Sequence, residues 1–228
     1  MRKLKWDSGF WGFEMFHLDV NNDSSIKLPN DSNFIIQSLC EISDNTSINM
    51  LEREGFSFKE SKITLHKIKF DEIKTNNLDF RKLTVKDFEP FKDIFFELFG
   101  RNSRFDIFSE EKVNEFYYTW VINSVVGKMD DACIGYFNGN KLVGFVTYRI
   151  RESEIMIGLL GVLPEFQGQG ISQFLLNYIE DIAVHNNLKV LSVSTQGTNI
   201  HALNAYIKNG YRIHSIKHWY YYIKGEIK

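Results

Sequence analysis

The stretch "LLGVLPEFQGQGISQFLL", residues 159–176, runs from an apolar segment through a glycine loop into a second apolar segment. The first segment is predicted to be a strand. After the loop, apolar residues recur at helical spacing from Ile171, beginning with Phe174, Leu175 and Tyr178. The backbone N–H groups at a helix start are unpaired and carry partial positive charge, and glycines let that backbone approach a phosphate closely. The stretch therefore predicts a strand, loop and helix that together bind an anion.

Two common phosphate-binding loops do not fit this glycine loop. The phosphate loop of nucleotide hydrolases needs a Lys after its last glycine, whereas Gly170 is followed by Ile171 and Ser172. The dinucleotide fingerprint needs a third glycine at the position that Gln173 occupies. The anion is therefore held in some other way.

Composition limits the possible partners. The chain has 228 residues, with 43% hydrophobic and 25% charged residues, which is typical of a folded globular protein. A net charge of -2 and the lack of a long basic run indicate neither a nucleic acid nor a membrane partner. Cys40 and Cys133 form no metal-binding spacing and no disulfide framework, so we predict no metal site and a cytoplasmic location.

The polar stretch "NNLDFRK", residues 76–82, predicts a joint that divides the chain into residues 1–75 and 76–228. Each part contains a helix end, a glycine turn and a strand in succession. This shared order fits two interpretations. Either the first part is a shortened copy of the second, or both parts show the helix–turn–strand succession that is common in α/β chains.

The second part is predicted to alternate between helices and strands, which gives a mixed α/β fold. Asn138-Gly139 indicates a hairpin between two apolar runs, and Gly210 ends a short helix. The predicted order is helix 84–99, helix 110–126, the hairpin, strand "EIMIGLLGVL", the helix from Ile171, strand "KVLSVST", helix 199–209 and an aromatic strand.

Two motifs carry a resemblance to a known family. Gln167-x-x-Gly170-x-Ser172 resembles the pyrophosphate loop of the GNAT acetyltransferase superfamily, usually Arg/Gln-x-x-Gly-x-Gly/Ala. The superfamily has a second motif, which comes after the next strand. Here that position holds Asn199-x-x-Ala202-x-x-x-Tyr206-x-x-x-Gly210-Tyr211, which matches the motif in residue type and in spacing. The resemblance implies a GNAT fold that uses acetyl-CoA as co-substrate. Ser172 departs from the usual Gly or Ala, but its side chain is still small.

A narrower resemblance covers most of the chain. The pieces "GFVTYR", "IGLL" and "ALNAYIKNGY", and the N-terminal "WDSGFWG", are similar to the dTDP-fucosamine acetyltransferases. Those enzymes acetylate the 4-amine of a dTDP-linked 4-amino-4,6-dideoxygalactose, and their first domain is a truncated GNAT-like domain. The resemblance implies a dTDP-linked amino sugar as acceptor, a truncated GNAT-like domain over residues 1–75, and a possible homodimer.

The resemblance also assigns the residues that bind acetyl-CoA. It implies that the strand before the loop splays from the next strand, which frees backbone groups to pair with the pantetheine arm. The assigned residues are Leu160, Val162, Gln167, Gly168, Gly170, Ser172, Gln173 and Asn199.

Tyr206 is the general acid by resemblance. A phenol has a pKa of about 10, so it is protonated at neutral pH and able to donate to the departing thiolate. The alternative is that Tyr206 only packs, because Ala202, Leu203 and Ile207 indicate a largely buried helix. No general base is assigned, although Glu154 and His201 are polar residues nearby.

The acceptor site is expected to draw on three segments. Arg104 is a candidate for binding a phosphate of the dTDP group. Aromatic rings are candidates for stacking on thymine or sugar, with core packing as the alternative. The candidate acceptor residues are Arg104, Phe105, Tyr117, Trp120, Thr195 and Gln196. Two rival functions stay open: a GNAT enzyme acting on another small amine or a peptide N-terminus, and a non-catalytic acyl-CoA-binding module.

Overall fold

The structure is a computed structural model that describes residues 1–20, 26–30, 32–70 and 78–226. Its strands are β1 Arg2–Lys3, β2 Glu14–Leu18, β3 Phe34–Glu41, β4 Ser57–Lys67, β5 Phe80–Lys82, β6 Ala132–Asn138, β7 Lys141–Arg151, β8 Glu154–Val162, β9 Val190–Gln196 and β10 Arg212–Lys224. Its α-helices are α1 Lys5–Trp11, α2 Asn45–Arg53, α3 Glu110–Val125, α4 Ile171–His185 and α5 Ile200–Lys208.

The ten strands of the described residues form one sheet in the order β1-β2-β3-β10-β4-β9-β8-β7-β6-β5. β4, from the N-terminal part, lies between β10 and β9 and pairs antiparallel with both. The predicted mixed α/β fold is therefore confirmed, and the sheet is continuous across both parts of the chain. The predicted joint at residues 75–76 lies outside the described residues, so the division into domains stays a prediction.

Helices cover the two sides of the sheet. α4 buries Ile171, Leu175 and Ile179 in one hydrophobic cluster, as its apolar spacing predicted. α3 buries Phe116 and Val121 in a second cluster. We call the two sides the α4 face and the α3 face. None of the described helices has the length and apolarity needed to span a bilayer.

The prediction of one regular helix over residues 84–99 is wrong. The structure has a 3₁₀ helix over Val85–Phe91 and a π-helical turn over Phe96–Gly100. Pro90 lies inside the segment and has no backbone N–H to donate, which disfavours a continuous α-helix. The segment still packs into the core, because Phe88 and Phe95 are fully buried.

Candidate functional site

The strands β8 and β9 separate beyond the start of their pairing, and we call the gap between their unpaired ends the cleft. These parallel strands pair only from Glu154 opposite Val190 to Ile157 opposite Val193. Beyond these residues no pairing joins the two strands in the described chain, although β8 continues to Val162. The predicted splay is therefore confirmed, and it leaves a strand edge that an extended ligand can pair with.

The backbone of β8 presents alternate residues to this cleft. The Leu163 N–H donates to the Val143 carbonyl of β7 at 2.9 Å, so the 143–163 pair is hydrogen-bonded. In an antiparallel ladder the neighbouring pairs point their polar groups away from the partner. Leu160 and Val162 lie in such pairs, opposite residues 146 and 144 of β7. Their N–H and C=O groups therefore face the cleft, as predicted.

A β-bulge starts the splay. The register of β7 and β8 shifts between residues 146 and 148, so two β8 residues oppose Thr147. The Thr147 hydroxyl accepts a hydrogen bond from the Leu159 N–H at 2.9 Å. A Cβ on the neighbouring Gly158 would lie 2.6 Å from both Thr147 Oγ1 and Asp130 Oδ2. The bulge therefore needs glycine at position 158.

We expect Gly158→Ala to destabilise the protein, by about 1–3 kcal/mol, because the added methyl group overpacks a buried site. Chemical denaturation measures this free energy of unfolding. Gly9→Ala is the control, since a Cβ at Gly9 meets nothing within 4 Å. Equal stability of the Gly158→Ala variant and the wild type would contradict this account of the bulge.

The glycine loop presents unpaired donors to solvent. Gly168 and Gly170 have φ values of 76° and 81°, in the left-handed region that glycine tolerates. The backbone N–H groups of residues 168–172 have no acceptor among the described residues. A Cβ at either glycine would meet nothing within 4 Å. The loop therefore fits an anion, with backbone donors and open space around them. We call the N–H groups of residues 168–172 the amide cradle.

Gln167 links the loop to the cleft. Its Nε2 donates to the Val162 carbonyl at 3.1 Å. The sequence predicted that the Val162 backbone is free, and this is wrong for the carbonyl because the nearby amide side chain reaches it. This leaves the Val162 N–H as the unoccupied backbone group of that residue on the cleft side, among the described residues. The Gln173 N–H, in contrast, is paired within the first helical turn with the Gly170 carbonyl.

The helix α5 carries the second motif. Asn199 is its N-cap, and its side-chain oxygen accepts from the Ala202 N–H at 3.0 Å. Tyr206 is 8% exposed and belongs to the same buried cluster as Val162 and Ile171, on the α4 face. Burial raises the pKa of the Tyr206 phenol, so it is protonated at neutral pH. No hydrogen bond joins its hydroxyl to another residue in the described part of the chain.

Arg104 is held in place on the α3 face. Its guanidinium lies over the rings of Phe105 and Trp219, at 4.3 Å and 4.1 Å from their centroids. Its Nη1 donates to Gln37 Oε1 at 2.7 Å and to the Tyr221 hydroxyl at 2.5 Å. This network already uses part of the guanidinium that was expected to bind a phosphate.

The three aromatic residues predicted to contact the acceptor differ in burial. Phe105 is 6% exposed and stacks on Trp11 at 5.3 Å. Tyr117 is 6% exposed in the same cluster. Core packing, the alternative reading from the sequence, describes both rings, and neither presents a face for a base to stack on. Trp120 is half-buried, and its Nε1 donates to Asp130 at 3.4 Å.

Thr195 and Gln196 lie on opposite sides of the sheet. Thr195 is opposite Ile63 of β4, and Ile63 belongs to the cluster on the α4 face. Because successive strand residues alternate, Gln196 lies on the α3 face. Its Nε2 donates to the Phe99 carbonyl at 3.1 Å. Of the two residues only Gln196 therefore lies on the α3 face, and the contact of either with an acceptor stays a prediction.

Two charged residues of β4 on the α3 face were missed. Glu60 accepts a hydrogen bond from the Arg104 backbone N–H at 2.7 Å, and burial raises the pKa of its carboxyl group. Burial lowers the pKa of Lys62, and so do the charges of Arg104, Lys217 and Arg149. The alternation in "KESKITLHK" indicates which of these side chains share a face, but nothing local shows that β4 pairs with β9.

Asp130 and Arg149 form another missed pair on this face. The Asp130 side chain is fully buried, and its Oδ2 accepts from the Ser124 hydroxyl at 2.8 Å. Its Oδ1 lies 3.6 Å from Arg149 Nε, which makes an ion pair. The pair fixes a positive side chain of β7 beside the Gly158 bulge. Glu154, by contrast, lies at the paired end of β8, and His201 is exposed.

The chain is similar in sequence to proteins of known name. A dTDP-fucosamine acetyltransferase from Escherichia coli O6:H1 (strain CFT073) is 24% identical over 227 residues, which cover 96% of each chain. The spore coat polysaccharide biosynthesis protein SpsD from Bacillus subtilis (strain 168) is 27% identical over 116 residues. That match covers 50% of this chain and 39% of SpsD.

Solved structures share the fold. A GCN5-related N-acetyltransferase from Sphaerobacter thermophilus superposes with a TM-score of 0.61 at 13% identity, over 88% of this chain and 63% of that one. The PaiA N-acetyltransferase from Thermoplasma acidophilum, solved in complex with coenzyme A, superposes with a TM-score of 0.51 at 20% identity, over 63% of this chain and 98% of that one. The family model of the GNAT acetyltransferases matches residues 90–211, which include the cleft, the glycine loop and α5. This protein is therefore a member of the acetyltransferase (GNAT) family.

Proposed function

We propose that this protein transfers the acetyl group of acetyl-CoA to the amine of a dTDP-linked 4-amino-4,6-dideoxy sugar. The amide cradle beside the open strand β8 carries the proposal. Full-length similarity to a protein named dTDP-fucosamine acetyltransferase supports the acceptor. A cytoplasmic location and a homodimer stay predictions.

The cofactor side of the proposal rests on the cradle and the cleft. The unpaired N–H groups of residues 168–172, at the positive end of the α4 dipole, would hold the pyrophosphate. Leu160 and Val162 would pair with the amides of the pantetheine arm and place the thioester at the bulge. Ser172 leaves room for the phosphates, and Gln167 would donate without adding charge.

Tyr206 would act as the general acid. Its ring belongs to the same buried cluster as Val162, a residue of the strand that would hold the thioester arm. The phenol is protonated at neutral pH and is therefore able to donate its proton to the departing thiolate. Asn199 would help to shape this end of the cleft by capping α5, with its amide nitrogen as the remaining donor.

The acceptor would bind on the α3 face. This side offers polar groups from several strands, including Glu60, Gln196 and the Asp130–Arg149 pair. Trp120, at the rim, is the remaining aromatic candidate for stacking on the sugar or base. Arg104 would orient this surface through its hydrogen bonds as well as attract the phosphates.

Side-by-side measurement of thiol release from acetyl-CoA tests the proposed function. We expect release with a dTDP-4-amino-4,6-dideoxy sugar, less with a UDP-linked 4-amino sugar, and only background with peptides. Faster release with another small amine or a peptide N-terminus would indicate a GNAT enzyme with a different acceptor. Acetyl-CoA binding without release for any acceptor would indicate a non-catalytic module.

A further inference from the structure

A row of polar side chains crosses the α3 face at the end of the cleft. The register places Glu41 of β3, Lys217 of β10, Lys62 of β4 and Gln196 of β9 side by side. Lys217 forms an ion pair with Glu41 at 2.9 Å. Lys62 forms no hydrogen bond or ion pair with any described residue.

This arrangement is unfavourable for the protein alone. Like charges directly opposite each other on neighbouring antiparallel strands destabilise a sheet, and Lys62 lies directly opposite Lys217. Lys62 is also half-buried, so part of its hydration is lost. Arg104 and Arg149 add further positive charge within electrostatic reach of Lys62, and Glu60 acts on Lys62 in the opposite sense. An anion bound at Lys62 would relieve this repulsion.

We infer that Lys62 is the main diphosphate-binding residue for the acceptor, on the α3 face and separate from the amide cradle. The inference deepens the proposed function and rests on it for the identity of the acceptor. Arg104, the earlier candidate, is already bonded to Gln37 and Tyr221, whereas the Lys62 ammonium has its donors available. Lys217, although paired with Glu41, adds a second positive charge from the neighbouring strand.

Calorimetric titration of the full chain with thymidine diphosphate tests this site. We expect Lys62→Met to weaken thymidine diphosphate binding about tenfold, since a charged hydrogen bond to phosphate is lost. Lys62→Arg, which keeps the charge, should stay within about threefold of the wild type. Lys82→Met, on the edge strand β5 at the other end of the sheet, is the matched control. Acetyl-CoA affinity should be unchanged in all three variants, which distinguishes this site from the amide cradle.

A second measurement guards against misfolding. Because Lys62→Met removes a like-charge pair, we expect its melting temperature without ligand to equal or exceed that of the wild type. Unchanged thymidine diphosphate affinity in Lys62→Met would overturn the inference even if dTDP-sugar acetylation is found. A Lys62-dependent loss of binding, together with no acetylation of any dTDP-linked amino sugar, would support this site and reject the proposed acceptor reaction.

Discussion

Replacing Tyr206 by Phe is expected to lower kcat by about 10²- to 10⁴-fold, the usual contribution of a general acid. The affinity for acetyl-CoA should change little, because the ring remains in the buried cluster. Stability should not fall, since no described residue is hydrogen-bonded to the Tyr206 hydroxyl and none would be left unpaired. Steady-state kinetics and thermal melting measure these quantities.

Tyr178→Phe is the control for this prediction. Tyr178 is a half-buried tyrosine of α4 whose ring packs on Phe80 at 4.5 Å, and its variant should keep the wild-type kcat. The pH profile adds a second readout. Burial raises the pKa of Tyr206 above its ordinary value of 10.0, so its ionisation should cause no loss of activity below that pH. An unchanged kcat in Tyr206→Phe would assign the residue to packing alone.

Placing a carboxylate in the amide cradle should have the other large effect. In Ser172→Asp the new charge lies in the first turn of α4, beside the N–H groups that would hold the pyrophosphate. Two like charges about 4 Å apart repel by about 4 kcal/mol at an effective dielectric constant of about 20. We therefore expect acetyl-CoA binding to weaken by about a hundredfold or more, as measured by calorimetry.

The same substitution should leave the fold intact or strengthen it. A negative charge at a helix N-terminus contributes roughly 0.3–1 kcal/mol through the helix dipole. Ser172→Asn is the uncharged match and should bind acetyl-CoA within about threefold of the wild type. Tight acetyl-CoA binding by Ser172→Asp would mean that the pyrophosphate does not bind at this loop, and the proposed cofactor site would be wrong.

Local patterns predicted the elements that border the cofactor site. Helix α4 follows from apolar spacing after Gly170, and the hairpin of β6 and β7 follows from Asn138-Gly139, because both signals act within a few residues. The phenylalanine-rich segment 84–99 was predicted to be one helix, whereas the structure has a 3₁₀ helix followed by a π-helical turn. Its spacing reports burial, whereas the position of Pro90 decides the hydrogen bonding.

Side-chain roles on the acceptor side were harder to predict. Phe105 and Tyr117 looked like stacking platforms, yet their rings fill the core beneath α3. Whether an aromatic residue faces a ligand or the core depends on what packs over it. Thr195 and Gln196 are adjacent in sequence, and the alternation of the strand places them on opposite faces.

The sequence by itself determined the strand, glycine loop and helix of the amide cradle, because backbone donors at a helix start depend only on neighbouring residues. It also determined that a tyrosine follows on the next helix. Only the tertiary structure decided what faces the acceptor. The insertion of β4 between β10 and β9 brings Glu60 and Lys62 next to residues more than a hundred positions away. Strand pairing over such a separation is set by packing of the whole sheet, and no local pattern encodes it.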